Sequence, residues 1–139
     1  MSTAFLFPGQ GSQFIGMGQE LATSFSEAKE VFQEVDEALN QNLSKLMFEG
    51  DEADLRLTEN TQPALMAVSI AALRVLLKQG GKPLNERAQF TAGHSLGEFT
   101  AYTGTGVFSL SQGAKLLKLR GQAMQTAVPQ GLGAMAALI

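Results

Sequence analysis

The sequence predicts an α/β fold built around a parallel β-sheet, and two observations lead to that prediction. Short apolar runs alternate along the chain with longer segments of helical character. The apolar runs are continuous, as expected of strands that are covered on both faces of a parallel sheet. Glycines, prolines and capping patterns separate many of these segments.

The first predicted elements are a strand and an amphipathic helix. Ala4–Phe7 is a short apolar run followed by a proline and a glycine, which indicates a buried strand. Ser24 and Glu27 have the spacing of a capping box, so we expect a helix to begin there and to end near Asn40. The apolar residues of that segment share one helix face: Ala28, Val31, Phe32, Val35 and Leu39.

A second predicted helix covers residues 64–78 and is apolar nearly all round. Residues 61–63 (TQP) open it, and the glycines at 80–81 end it. An apolar surface on every side predicts burial between layers of the fold. We do not expect the segment to cross a membrane, because it is too short and contains Arg74.

Two more strand-like runs and one helix complete the predicted elements. The runs are residues 89–92 and 134–139. Between them, Ser109 and Gln112 repeat the capping-box spacing and predict a helix that ends just before Pro129.

Composition places the chain among ordinary globular proteins and argues against some classes of partner. The 139 residues are enough for one domain or part of one, with a net charge of −3 and no cysteine. That charge gives no reason to expect nucleic acid or an anionic membrane as partner. The lack of cysteine excludes disulfides and thiolate metal sites, and no metal site is predicted. The first residues lack the basic region of a signal peptide, so we expect a cytoplasmic protein.

The most informative motif is GHSLG at residues 93–97, which has the pattern G-x-S-x-G. A strand-like run precedes it, and residues 98–102 have helical character, so Ser95 lies at a predicted strand-to-helix turn. Such a nucleophile elbow exposes the serine Oγ and aims the next backbone N–H at the same point. The alternative is a small-residue turn without catalytic function.

The turn at residues 7–13 (FPGQGSQ) is a second candidate site. It follows a predicted strand and should lie at the carboxyl end of the sheet, where open α/β folds bind ligands. The phosphate motif G-x-G-x-x-G is broken, because Phe14 occupies the third glycine position. Glycines here favour a role for backbone N–H donors, and the alternative is a plain loop.

Arg120 stands out because the predicted helix places it on the apolar side, between Leu117 and Met124. A guanidinium in that position needs an anion or a cluster of acceptors, since an unpaired buried charge is costly. Bidentate binding of a substrate carboxylate would meet that need. The alternatives are a snorkelling side chain or a structural ion pair with one of three carboxylates: Asp36, Glu59 or Glu98.

His94 is the only histidine, and a serine nucleophile usually needs a histidine as its base. A residue adjacent to Ser95 at a sharp turn projects away from it. We therefore expect His94 to be a hydrogen-bonded, partly buried support residue. The chain then contains no base for its own nucleophile.

Four motifs in order along the chain give it a close resemblance to one enzyme family. They are FPGQGSQ at 7–13, TQPAL at 61–65, GHSLGE at 93–98 and R-G-x-x-M-Q at 120–125. This set is similar to the malonyl-CoA:acyl carrier protein transacylases of bacterial fatty-acid synthesis. It also resembles the related acyltransferase domains of polyketide and fatty-acid synthases.

The resemblance implies an α/β-hydrolase-like parallel sheet with flanking helices and an inserted ferredoxin-like subdomain. Residues 1–128 would form the N-terminal part of the large subdomain, and residues 129–139 the first strand of the small one. The chain covers less than half of a typical member. The family's catalytic histidine and a supporting glutamine come from the later half, so we expect an N-terminal portion that is catalytically impaired by itself.

The resemblance also implies a role for each candidate site residue. Ser95 would accept the malonyl group from malonyl-CoA, and the Gln10 and Leu96 amides would form the oxyanion hole. Arg120 would bind the malonyl carboxylate, and acyl carrier protein would receive the malonyl group. No metal or tightly bound cofactor is expected.

Two other function classes share some of these features. A serine esterase or thioesterase has the same elbow but usually no use for an arginine in its acyl pocket. A non-catalytic remnant could bind acyl carrier protein or the missing half of the enzyme, and the lack of a base favours this for the isolated chain.

Overall fold

The computed structural model describes residues 2–128 and 132–133. The elements in chain order are β1 Ala4–Phe7, α1 Gln19–Ser24, α2 Ser26–Leu39, α3 Leu43–Glu49, α4 Glu52–Arg56, α5 Thr58–Gly80, α6 Leu84–Arg87, β2 Phe90–Gly93, α7 Leu96–Gly104 and α8 Leu110–Ala127. The strand predicted at 134–139 and the proposed subdomain boundary at 129 lie outside the described residues.

The sheet of the described residues consists of β1 and β2, which pair in parallel. The register aligns Ala4 with Phe90 and Phe7 with Gly93, so both strands end at the same level. The predicted α/β fold with a parallel sheet is therefore confirmed, although β2 begins one residue later than expected. The expectation that β1 is a buried strand is wrong except at Phe7: Leu6 is 76% exposed, because the two-stranded sheet of the described residues leaves that face of β1 uncovered. Because the two strands end at the same edge of the sheet, the turns that follow them, at residues 7–13 and 93–97, lie next to each other.

Helix α5 forms the centre of the fold and packs against α2, α7 and α8. It begins at Thr58, six residues before the predicted start, and contains Pro63. The first turn forms because the Leu57 carbonyl accepts hydrogen bonds from the Asn60 and Thr61 amides, so the helix is already established when it reaches the proline. The expectation that TQP opens the helix is wrong.

At 23 residues, α5 is long and apolar enough to cross a membrane by length and composition. The expectation that it is too short is therefore wrong. Within the described structure, however, 67% of its most apolar 18-residue stretch is buried. This burial is typical of a core helix, as the sequence predicted.

The predicted capping box at Ser24 and Glu27 does not form. Ser24 is the last residue of α1. The N-cap of α2 is Phe25, which has an extended backbone and whose side chain makes no capping hydrogen bond. The Phe25 amide instead donates to the Leu21 carbonyl at 2.9 Å and thereby ends α1. The predicted apolar face is confirmed, with Leu39 partly buried and the others buried: Ala28, Val31, Phe32 and Val35.

Helices α1, α3, α4 and α6 were not predicted, because each is too short to show a clear periodicity. Two of them carry caps that are visible in the sequence. The Asn42 side chain accepts from the Lys45 amide at the start of α3, and Asp51 accepts from the Ala53 amide at the start of α4.

The capping box at the start of α8 is confirmed. The Ser109 Oγ accepts from the Gln112 amide at 3.1 Å, and the Gln112 side chain accepts from the Ser109 amide at 2.9 Å. Farther along, Gly121 packs so closely on α5 that an added Cβ would lie 2.5 Å from Glu59 Cα. This close crossing determines how α8 presents the side chains on either side of Gly121.

A polar network joins α8 to the start of α5. The Lys118 Nζ donates to Gln41 and Asn60 side chains at 2.9 and 3.0 Å and lies 3.2 Å from a Glu59 carboxylate oxygen. The Gln122 side chain donates to the same carboxylate at 3.0 Å. Lys118 and Gln122 thus link α8 to α5 on either side of Gly121, where the two helices cross.

Replacing Gln122 by alanine should make the stability of the chain less dependent on acid pH. The hydrogen bond from Gln122 is the main reason that the pKa of Glu59 lies below its usual 4.5; Lys118 acts in the same direction and partial burial acts against both. A carboxyl group with a lowered pKa stabilises the fold above its unfolded-state pKa, and the contribution is lost as pH falls through the folded-state pKa. Urea unfolding from about pH 6 to about pH 3 should give a difference between wild type and Gln122→Ala that shrinks as pH falls. A difference that is constant with pH would contradict this expectation.

Candidate active site

Ser95 lies between β2 and α7, in the strand–turn–helix arrangement that the motif predicted. Its backbone has φ 56° and ψ −113°, a positive φ that is rare for a residue with a side chain. Such a conformation costs on the order of 1–3 kcal/mol and is typical of functional sites. Ser95 is exposed, as a nucleophile must be.

The two glycines of the motif are required by backbone packing. A Cβ on Gly93 would lie 1.9 Å from the Gly97 carbonyl carbon and oxygen. A Cβ on Gly97 would lie 2.3 Å from the Phe7 carbonyl oxygen and 2.8 Å from that of Pro8. The first glycine thus allows the elbow to fold on itself, and the second allows it to pack against the turn after β1.

Gly97→Ala should destabilise the chain by about 1–3 kcal/mol, because the methyl group meets backbone atoms that cannot move aside. Gly104→Ala is the matched control in the same helix, since its Cβ would meet only side-chain ends at 3.0 Å or more. Urea unfolding of both variants measures the difference. Equal stability of the two variants would show that the elbow does not need a glycine at 97.

The turn after β1 lies directly against the elbow. The His94 amide donates to the Phe7 carbonyl at 3.1 Å, and a Cβ on Gly9 would lie 2.5 Å from His94 Nδ1. The next residue of this turn is Gln10. In the described part of the chain, neither the Gln10 amide nor the Leu96 amide donates a hydrogen bond. Both backbone donors are thus unpaired within the described residues.

Arg120 extends from α8 to the elbow serine. Its Nη2 donates to Ser95 Oγ at 3.0 Å, its Nη1 donates to Gln62 Oε1 at 2.7 Å, and the guanidinium carbon lies 5.8 Å from the centre of the Phe99 ring. The partly buried guanidinium has no carboxylate partner among residues 2–128 and 132–133.

The alternative of a structural ion pair for Arg120 is therefore wrong for the three carboxylates considered. Asp36 accepts hydrogen bonds from Ser44, Glu59 pairs with Lys118, and Glu98 accepts from Tyr102. These carboxylates make those contacts, and the two Arg120 nitrogens donate to neutral acceptors. The cation close to the serine hydroxyl is thus not neutralised by any described carboxylate.

Comparison with known proteins decides the family. The model of the acyl transferase domain matches residues 4–139. The chain belongs to the acyl transferase domain family. A malonyl CoA-acyl carrier protein transacylase of Bacillus subtilis is 51% identical over 136 residues, which is 98% of this chain and 41% of the relative.

Solved structures of malonyltransferases are similar to this chain in both fold and sequence. An acyl-carrier-protein-S-malonyltransferase from Bartonella henselae matches with a TM-score of 0.89 and 54% identity, over 92% of this chain and 40% of that protein. A malonyl-transacylase in complex with a type II PKS acyl-carrier protein matches with a TM-score of 0.86 and 44% identity, over 94% of this chain and 41% of that one. This acyl transferase chain thus spans about 40% of the length of these relatives.

Gln62 is a site residue for which the sequence analysis assigned no role. It lies in α5, is only 1% exposed, and joins Arg120 to Met124 by accepting from the one and donating to the Met124 sulfur at 3.3 Å. One signal could have revealed it. A glutamine at the start of a helix that is apolar nearly all round must find buried hydrogen-bond partners.

The expectation for His94 is partly wrong. The residue is exposed rather than partly buried, and its side chain makes no hydrogen bond within the described residues. A sharp turn at a strained serine leaves the preceding side chain exposed at the surface. The side chain lies against Gly9, while the hydrogen-bond partner of Ser95 Oγ is Arg120. As expected, His94 is not in hydrogen-bond contact with Ser95.

The described residues contain no group of three or more potential metal ligands of the His, Cys, Asp and Glu types. The arrangement that they do contain is an exposed serine, two backbone donors and a cation. Backbone N–H groups are the kind of donor that stabilises an oxyanion, and a guanidinium is the kind of cation that binds a carboxylate.

Proposed function

We propose that this chain is the malonyl-accepting part of an acyltransferase of fatty-acid biosynthesis, an [acyl-carrier-protein] S-malonyltransferase. The substrates are malonyl-CoA and the phosphopantetheine thiol of acyl carrier protein. The observation that carries the proposal is the Arg120 guanidinium, 3.0 Å from the Ser95 hydroxyl and without a described carboxylate partner. The printed names of the relatives, which include malonyl CoA-acyl carrier protein transacylase, support it.

The proposed reaction has two acyl transfers. Ser95 Oγ attacks the thioester carbonyl, and the Gln10 and Leu96 amides donate to the resulting oxyanion. The carbon–sulfur bond breaks, coenzyme A leaves as the thiol, and malonyl remains as an ester of Ser95. The carrier-protein thiol then attacks this ester, the bond to Oγ breaks, and the serine hydroxyl is restored.

The serine proton needs a base that the described residues do not place beside Ser95. The family resemblance puts that histidine in the later part of longer members. A serine site without its base retains on the order of 10³–10⁴-fold acceleration over the uncatalysed reaction, from its oxyanion hole and binding contacts. We therefore expect slow acylation of the isolated chain.

Arg120 selects the acyl group. Two of its N–H groups contact Gln62 and Ser95, and a guanidinium has five, so donors remain for the malonyl carboxylate. That carboxylate is one methylene away from the carbonyl that Ser95 attacks, and so reaches the same neighbourhood. An acetyl group would leave the cation desolvated without an anion, which disfavours it.

The proposal also includes the subdomains, the lack of a cofactor, the role of His94 and the cellular compartment. Residues 1–128 belong to an α/β-hydrolase-like large subdomain, and residues 129–139 open a ferredoxin-like one. The reaction uses no metal and no tightly bound cofactor, and His94 supports the turn by its contact with Gly9. The enzyme acts in the cytoplasm.

The test is single-turnover acylation of the 139-residue chain. Malonyl-CoA is incubated with the chain for hours, and intact-mass spectrometry followed by peptide mapping should find one malonyl group on Ser95. Added holo acyl carrier protein should then remove it. Absence of any adduct would favour the non-catalytic remnant, and rapid loss of a neutral acyl group to water would favour an esterase.

A further inference from the structure

We propose that Gln62 is a positioning residue that sets the acyl preference by holding Arg120 with a neutral amide. This inference rests on the proposed function and adds a residue to it. Gln62 does not contact Ser95 in the described structure, and acts on the acyl group through Arg120.

The orientation of the Gln62 amide is determined at both ends. Its oxygen accepts from Arg120 Nη1 at 2.7 Å, and its nitrogen donates to the Met124 sulfur at 3.3 Å. Gln62 itself is 1% exposed, so its amide has little contact with water, although Arg120 and Met124 are more accessible. A buried amide with both groups occupied holds its partner rigidly, which lowers the entropy that Arg120 must lose when it binds a carboxylate.

The backbone beneath this contact is also held firmly. Gly121, next to Arg120, packs on the Glu59 backbone of α5 so closely that an added Cβ would lie 2.5 Å from Glu59 Cα. Lys118 also pairs with Glu59 where α8 packs against α5. The backbone positions of Gln62 and Arg120 are therefore fixed relative to each other. A substitution at position 62 then changes the hydrogen bond to the guanidinium without moving the helices.

The neutrality of the amide is the decisive chemical feature. Arg56, Arg74 and Lys118 each have a carboxylate partner, at 2.6, 3.4 and 3.2 Å. Arg120 is instead held by a group that orients it and leaves its charge uncompensated. A carboxylate at position 62 would satisfy the guanidinium permanently, and the acyl carboxylate would no longer be needed to neutralise it.

The experiment compares Gln62→Glu and Gln62→Met with the wild-type chain. The rates of Ser95 adduct formation from malonyl-CoA and from acetyl-CoA are measured separately by intact mass. Gln62→Glu should lower the malonyl rate about ten- to a hundredfold, the effect of losing a charge-assisted contact, while the acetyl rate changes little. Gln62→Met, of similar shape, should lower the malonyl rate less, because Arg120 keeps its charge and loses only its support.

The control for added negative charge is Gln33→Glu, at an exposed position on α2, which should leave both rates unchanged. Circular dichroism and thermal unfolding check each fold. If Gln62→Glu does not fold, Gln62→Met decides: a malonyl-to-acetyl ratio equal to that of wild type would overturn the inference. Equal losses with both substrates in either variant would make Gln62 purely structural and also overturn it.

Failure of the proposed function gives a different result. A wild-type chain that forms neither adduct would remove the acyltransferase proposal and this inference with it. A wild-type chain that prefers malonyl, together with a Gln62→Glu variant that keeps the full preference, would overturn the inference alone.

Discussion

Ser95→Ala is expected to abolish the malonyl adduct completely. The elbow presents no other hydroxyl or thiol at this point, since the neighbours at 93–97 are glycines, a leucine and a histidine, whose acyl-imidazole would hydrolyse readily. Removal of Oγ leaves the backbone donors and Arg120 in place, so malonyl-CoA can still bind but nothing accepts the acyl group. Intact-mass spectrometry after incubation with malonyl-CoA measures the result.

Ser26→Ala, at an exposed serine at the start of α2, is the matched control and should form the adduct as wild type does. Thermal unfolding of both variants excludes loss of the fold as the cause. An undiminished adduct in Ser95→Ala would show that the acyl group is attached elsewhere and that the elbow is not the nucleophile.

Arg120→Ala should reduce acylation by malonyl-CoA far more than acylation by acetyl-CoA. The expected loss is about 2–3 kcal/mol or more of binding to the carboxylate, which corresponds to roughly 30- to 150-fold in rate. The acetyl reaction loses only the contact between the guanidinium and Ser95 Oγ. Parallel rate measurements with the two thioesters give the ratio directly.

Lys115→Ala removes an exposed cation from the same helix and serves as the control for net charge. It should leave the malonyl-to-acetyl ratio unchanged. If Arg120→Ala lowers both rates equally, Arg120 supports the elbow structurally and does not select the acyl group.

The sequence by itself determined the elements whose signals are local. The bounds of the strand Ala4–Phe7, though not its burial, were correctly predicted, as were the capping box of Ser109 and Gln112 and the G-x-S-x-G turn. Each depends on residues a few positions apart: an apolar run, a side chain that reaches a nearby amide, and glycines that permit a strained turn. The position of Arg120 on the apolar side of its helix follows from the helical repeat in the same way.

Where helices begin was less predictable, because neighbouring segments compete for the same chain. Ser24 has capping-box spacing, but the preceding short helix incorporates it and Phe25 becomes the N-cap instead. The TQP segment has the composition of a helix start, but the Leu57 carbonyl begins α5 earlier and Pro63 is included. In each case the backbone hydrogen bonds of the preceding segment, rather than the sequence pattern, set where the helix begins.

Only the tertiary structure decided which side chains meet at the candidate site. Gln62 lies in α5, Arg120 in α8 and Ser95 at the turn between β2 and α7, and the pairing of Arg120 with Gln62 depends on how closely α8 crosses α5. That closeness is set by Gly121 packing on the Glu59 backbone, a contact between residues 62 positions apart. A local pattern can state that a buried cation needs a partner, but the choice between carboxylate and amide is made by packing across the whole fold.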